Sequence, residues 1–201
     1  MSTRGADYYT RMHPGEAAAE LAGLVGPGNV ATGSASSPDY GHDECLTVPP
    51  VTPLCVVRPG STEDVAEIVR WGRRRRVPLT ARGSATGLSG ACVPTAGTVV
   101  VSFERMRGIQ IDTENHVAVV EPGTSLDELD KATAHHGLIY PVFPGESSAS
   151  LGGNVATNAG GMRAVKYGVT RHQVLGLTAV LGTGEVIRTG GRFVKATSGY
   201  D

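Results

Sequence analysis

The stretch that most limits what this chain can become is SLGGNVATNAGGMRAVKYG, Ser150 to Gly168. Two glycine pairs, Gly152-Gly153 and Gly160-Gly161, bracket Asn154, Thr157 and Asn158, and Val155 is the one branched apolar side chain between the pairs. Side chains this small do not build a core. They suit main chain that must pass close to something large and flat. Glycine supplies 28 of the 201 residues and clusters without a fixed period, which excludes collagen-like and low-complexity readings. A diphosphate needs backbone N–H groups pointed one way, and a Cβ on the near side would block its approach. Asn and Thr add neutral hydrogen-bonding groups. The segment therefore reads as a loop lying along a phosphate-bearing ligand. Ordered elements flank it, which disfavours a flexible linker.

A second glycine-rich stretch, RGSATGLSG, runs from Arg82 to Gly90 and follows a strand. It is neither GxGxxG opening a helix nor a Walker A sequence. Alone it is a weak signal, and the later segment is what strengthens it.

The length suits a single domain with two subdomains, and 40% hydrophobic residues suffice for a core. Eighteen basic against 19 acidic residues leave a formal charge of −1, which argues against a nucleic-acid partner held by a basic surface. No apolar run is long enough to span a membrane. The start, MSTRGADYYTRMHPGE, lacks the apolar core of a signal peptide, and its Asp7 and Glu16 suit a transit peptide poorly. Cys45, Cys55 and Cys92 form no CxxC and read as reduced thiols. The expected location is the cytoplasm, free or at a membrane surface.

Hydrophobic periodicity and breakers give the element order. Glu16 to Val25 is helical and ends at Gly26-Pro27-Gly28. Val30 to Pro53, rich in Ser, Pro, Gly and Asp, reads as a loop or arm over the domain. Leu54 to Val57 is a buried strand. Ser61 to Arg76 is a helix with capping-box spacing at Ser61 and Asp64 and an apolar face of Val65, Ile68, Val69 and Gly72. Its last turn, Arg73 to Arg76, is a solvated end that complements the helix dipole. Val77 to Arg82 and Thr98 to Phe103 are strands. GIQID and HVAVVEPG form a hairpin around Thr113–Asn115. Ser125 to His136 is a helix with a Ser125/Glu128 capping box and Gly137 at C′. A long loop follows, then two strands around a Gly182–Glu185 turn. Helices and strands mix without strict alternation, so the fold class is α+β, and a Rossmann sheet is disfavoured.

Taken together, RGSATGLSG, VEPGTSLDEL and GLIYPVFPGESSASLGGNVATNAGGMRAVKYGVT resemble the PCMH-type FAD-binding domain of the FAD-linked oxidases, the vanillyl-alcohol oxidase-like fold. The branch most resembled is that of the D-2-hydroxyacid dehydrogenases, with the D-subunit of glycolate oxidase. The resemblance covers residues 30 to 201. It implies two α+β subdomains over residues 51–201, preceded by an N-terminal helix and arm over residues 1–50.

The resemblance also implies FAD. It assigns the pyrophosphate to Arg82, Gly83, Ser84, Ala85, Thr86 and Gly87, mainly through backbone N–H groups. It assigns the ribityl chain and flavin to Pro144, Ser150, Gly152, Gly153, Asn154, Thr157, Asn158, Gly160 and Gly161. Tyr167 and Gly168 would close this wall. Pro122 and Gly123 match a turn that approaches the flavin, and Val186 matches a position on the adenine side. Relatives that attach FAD covalently use a His in the first loop. Here Ser84 and Ala85 stand in that region and Cys92 lies near, but not at, a second attachment position, so noncovalent FAD is expected.

The activity implied is oxidation of a 2-hydroxy acid such as glycolate or D-lactate by hydride transfer to flavin N5. The electrons would pass to a quinone, a flavoprotein or an iron–sulfur subunit. The chain stops at KATSGYD, ahead of the last strands and the substrate cap that the resemblance leads one to expect. It reads as C-terminally truncated and inactive alone. No residue has a claim to be the catalytic base. His135, His136 and His172 are not substitutes, since His135 and His136 close a helix where positive charge suits the dipole; activity of residues 1–201 alone would bring back His42, His135 and His172 as candidate bases. No metal-ligand cluster is evident. Two other classes remain open. One is a noncatalytic flavin-binding or electron-transfer subunit. The other, disfavoured by the loop wording, is a nucleotide-sugar reductase of the same fold.

Overall fold

A computed structural model describes residues 12–32 and 35–192. The expected stop at KATSGYD lies outside the described residues. Helix α1 (Pro14–Val25) starts two residues before Glu16, because Pro14 takes the N1 position and His13 Nδ1 accepts the Gly15 N–H at 3.3 Å. Strand β1 (Val30–Thr32) follows, so part of the expected arm is sheet. Its three residues pair antiparallel with β2 (Cys55–Val57), Val30 opposite Val57 and Thr32 opposite Cys55. A 3₁₀ turn at Pro38–Gly41 breaks the remainder.

Helix α2 (Thr62–Arg75) is capped by Ser61, whose Oγ accepts the Asp64 N–H at 3.1 Å. The Asp64 carboxylate reaches back to the N–H of Gly60 instead of the cap residue. Strands β3 (Leu79–Arg82) and β4 (Val99–Ser102) complete the sheet in the order β1-β2-β4-β3, with β2, β4 and β3 parallel. Alternation decides the faces. Cys55, Val57, Val99 and Val101 join Ala17, Leu21, Ile68 and Trp71 in the first core, while Val56 and Val100 are buried on the other side. Such all-buried runs are the mark of strands covered on both faces.

The buried face of α2 keeps Ile68 and Gly72 of the expected one and is shifted at its other positions. Ala66, Ile68, Trp71 and Gly72 are buried, whereas Val65 and Val69 are half-buried. The helix is covered from two sides. Ile68 and Trp71 meet the sheet core, and a Cβ on Gly184 would lie 3.1 Å from the Ala66 carbonyl oxygen. Gly184 belongs to the turn between β7 (Gly176–Val180) and β8 (Val186–Gly190), and its carbonyl accepts Arg70 Nη2 at 2.7 Å.

A second core lies on the hairpin β5 (Ile109–Asp112) and β6 (Val117–Val120), paired from Ile109–Val120 to Asp112–Val117. Helix α3 (Leu126–Ala134) packs Leu126 and Leu129 onto it, with Ala149 and Leu151. Both halves of the Ser125/Glu128 capping box are present. Gly137 has φ +68°, and the bonds Leu138 N–H to Thr133 and Gly137 N–H to Ala134 make the C-terminal motif in which Gly137 is C′.

The expected long loop is not structureless. It contains α4 (Leu151–Thr157), α5 (Ala164–Tyr167) and a 3₁₀ turn at Thr170–Gln173. The stretch read as a glycine loop therefore opens as a short helix, with Gly152 and Gly153 in its first turn.

Candidate functional site

The two glycine-rich segments meet. The Ser150 N–H donates to Ser84 Oγ at 2.7 Å, and the Ser84 N–H donates to Ser150 Oγ at 3.3 Å. Ser150 is 4% exposed, and a Cβ on Gly83 would overlap its Oγ. Behind this pair, the Gly152 N–H reaches the Pro122 carbonyl at 2.9 Å and the Leu151 N–H reaches that of Thr124 at 2.8 Å. The site thus collects the end of β3, the turn after β6 and the start of α4. Because Leu151 lies in the second core and Arg82 ends a strand of the first sheet, the serine pair bridges the two halves of the fold.

Most of the glycines expected to make room for a ligand make room for the protein itself. A Cβ on Gly152 would stand 2.7 Å from Pro122 Cβ, and one on Gly123 would overlap the Phe103 carbonyl oxygen. Gly161, at φ +149°, would overlap the Phe143 carbonyl oxygen and press on Pro144 Cα. Gly160 faces Val169, and Gly168, at φ +81°, faces His172. Gly87 and Gly153 differ. Nothing lies within 4 Å of a Cβ on Gly87, and only Ser150 Oγ lies near one on Gly153.

The open position at Gly87 coincides with unspent donors. Among the described residues, the main-chain N–H groups of Ala85, Thr86, Gly87, Leu88 and Ser89 make no hydrogen bond within the chain, nor does that of Gly153. Ala85 sits at φ +56° and is 8% exposed, an uncommon conformation for a residue with a Cβ. Asn154 is 4% exposed, and its Nδ2 has no partner. A buried amide left unsatisfied is costly and calls for an acceptor. Residues 82–90 carry no acidic side chain. Chemically, this surface is a row of neutral donors with access for an anion.

The side chains of the other expected members are placed as follows. The Arg82 side chain is buried, donates to the His42 carbonyl at 2.6 Å and lies 5.5 Å from the Tyr40 ring centre. Thr157 Oγ1 bonds the Gly153 carbonyl. Asn158 ends α4 at φ 49°, and its Oδ1 accepts the Arg171 N–H at 3.0 Å. Tyr167 is partly exposed, and its hydroxyl is held below the ordinary tyrosine value by the adjacent Lys166 ammonium at 3.0 Å. Val186 opens β8 opposite Val180, in the hairpin seated on α2. His172 Nδ1 accepts the Val169 N–H, and His135 is exposed at the end of α3. Neither the Ser84–Ser150 pairing nor the twist at Ala85 has a sequence signal.

The family described as FAD binding domain matches residues 53–190. An FAD-linked oxidoreductase of Mycobacterium tuberculosis, itself uncharacterized, is 55% identical over 187 residues, covering 92% of this chain and 41% of that protein. A D-lactate dehydrogenase of Archaeoglobus fulgidus is 43% identical over 166 residues, covering 80% of this chain and 37% of that one. The chain therefore spans well under half the length of these relatives. Among solved structures, p-cresol methylhydroxylase with substrate bound superposes with a TM-score of 0.78 at 24% identity, over 92% of this chain and 36% of that one, a likeness of fold.

Proposed function

Since the chain belongs to the PCMH-type FAD-binding domain family of the FAD-linked oxidoreductases, we propose that it holds FAD noncovalently within an enzyme that oxidises a small 2-hydroxy acid of the glycolate or D-lactate kind. The observation that carries the reading is the row of free N–H groups from Ala85 to Ser89 beside Gly87, where no Cβ stands in the way. Such a row suits a diphosphate. Gly153 N–H and Asn154 Nδ2 supply further donors on the adjoining segment. When bound, FAD supplies the two-electron acceptor for the hydrogen on the substrate's α-carbon.

The chain's own residues bind and orient. Ser84 and Ser150 lock the two donor segments together, and Pro122 and Thr124 fix the start of α4 behind them. No His stands in residues 82–90. The Cys92 thiol is pushed up by burial, despite the nearby Arg82 charge, which disfavours it as a thiolate nucleophile. Both points support noncovalent binding. The 2-hydroxy acid reading rests on likeness to the D-lactate dehydrogenase, and the electron acceptor would be a quinone, a flavoprotein or an iron–sulfur subunit.

Acid precipitation of the purified protein should release a yellow supernatant. Flavin kept in the pellet would contradict noncovalent binding, and protein that takes up no FAD would sink the reading. For the substrate, the FAD-loaded protein is mixed anaerobically with glycolate or D-lactate, and bleaching of the visible flavin band is followed. No bleaching with either acid would count against the 2-hydroxy acid reading.

A further inference from the structure

Residues 38–51 precede the family-matched span, yet they grip the first glycine segment at three places. At its start, Arg82 Nη1 donates to the His42 carbonyl at 2.6 Å. In its middle, the Glu44 N–H donates to the Gly87 carbonyl at 3.1 Å. Two residues past its end, the Cys92 N–H donates to Asp43 Oδ2 at 3.4 Å. The other Asp43 oxygen, Oδ1, accepts the Cys45 N–H at 3.0 Å. Asp43 is 6% exposed. Val48 fills the space beside Gly90, where a Cβ would lie 2.9 Å from its Cγ2. The segment is itself fastened, by the Tyr40 hydroxyl on Glu104 at 2.7 Å and the Val51 N–H on the Gly41 carbonyl at 2.9 Å.

The loop needs such a frame. Among the described residues its five central N–H groups have no partner, and Ala85 is held at positive φ. Main chain without internal hydrogen bonds does not keep one conformation unless its surroundings dictate it. We infer that Asp43 is a positioning residue for the flavin site, a carboxylate that ties its own segment to the far end of the donor loop and so pre-sets the loop for a diphosphate. The inference rests on the flavin reading above. It extends the site to a segment before the matched region. Two N–H donors converge on the two carboxylate oxygens. An asparagine could accept only one of them and would turn an NH₂ toward the other, and an alanine could accept neither.

The test uses Asp43→Ala and Asp43→Asn, with Glu63→Ala, an exposed carboxylate in the first turn of α2, as the control. Amide hydrogen exchange is measured on FAD-free protein, and FAD affinity by quenching of flavin fluorescence. In Asp43→Ala, exchange should quicken at the bonded amides that frame the loop, those of Glu44, Ser84 and Val93, and leave α3 and the β7–β8 hairpin unchanged. FAD should bind about tenfold more weakly or worse, the scale set by losing a hydrogen bond to a charged acceptor. Asp43→Asn should fall between, and Glu63→Ala should match the wild type.

Wild-type exchange at Glu44, Ser84 and Val93 in Asp43→Ala would overturn the inference. So would quickening spread equally over α3 and the hairpin, which would mark a merely structural residue. Should Asp43→Ala fail to fold, Asp43→Asn is judged by the same two outcomes. A wild-type protein that takes up no FAD would defeat the proposed function, and the exchange pattern would still decide whether Asp43 holds the loop.

Discussion

A Cβ added at Gly161 would overlap the Phe143 carbonyl oxygen, whereas one added at Gly87 meets nothing within 4 Å. The two positions should therefore fail differently. Gly161→Ala is expected to cost about 2 kcal/mol or more, because main chain must move apart at a positive φ. Thermal unfolding without FAD would show it. Gly87→Ala should leave that midpoint in place while lowering FAD affinity about tenfold, as its methyl intrudes on the donor row. The converse pattern, a destabilised Gly87→Ala with normal affinity, would reassign the loop to packing. From the sequence both glycines look alike, because what an absent Cβ would touch is tertiary information. The thiols also separate at this scale. Burial pushes Cys55 up to about 12, whereas the Thr47 hydroxyl draws half-buried Cys45 below the ordinary value. Only the thiolate reacts. As pH rises from neutral, a thiol reagent followed by peptide mapping should label Cys45 first, with Cys55 silent until the protein is unfolded.

Helix ends whose partners are sequence neighbours were legible. Ser61, the Ser125/Glu128 box and Gly137 act within a few residues of themselves. Helix α4 was not legible, because two glycines in seven residues argue against a helix. It forms because Leu151 is buried in the second core and its N–H is taken by Thr124. Strand β1 was hidden for a similar reason, since its three residues earn their conformation from β2. Helices α1 and α2 are joined by Glu20, which accepts from Trp71 Nε1 at 2.7 Å and from Arg75 Nε at 2.9 Å. Arg75, then Trp71, holds the Glu20 carboxyl below its ordinary 4.5. A depressed acid adds stability above its unfolded pKa and loses it as pH falls through the folded one. Glu20→Gln should thus lower the thermal midpoint near neutral pH, with the gap to wild type closing below pH 4.5. A gap of constant size down that range would show that charge is not what joins the helices.

The donor loop leaves the first sheet, the start of α4 is rooted in the second core, and the serine pair closes the seam between them. The sequence placed both glycine segments in one site only through their resemblance to a family, since no spacing rule links Ser84 to Ser150. The sheet order carries a further consequence. Its central strand, β4, is made after both of its neighbours, and Val99 and Val100 are wholly buried between them. During synthesis, β2 and β3 leave the ribosome with no strand to lie against each other through, and their apolar residues must wait for residues 99–102. Long-range parallel pairing of this kind forms late and leaves apolar surface open meanwhile. Ribosome-arrested chains should stay open to protease between β2 and β3 until Ser102 has cleared the exit tunnel, and then close in one step. For the cell, that makes a pause in translation just before β4 the hazardous place to stall.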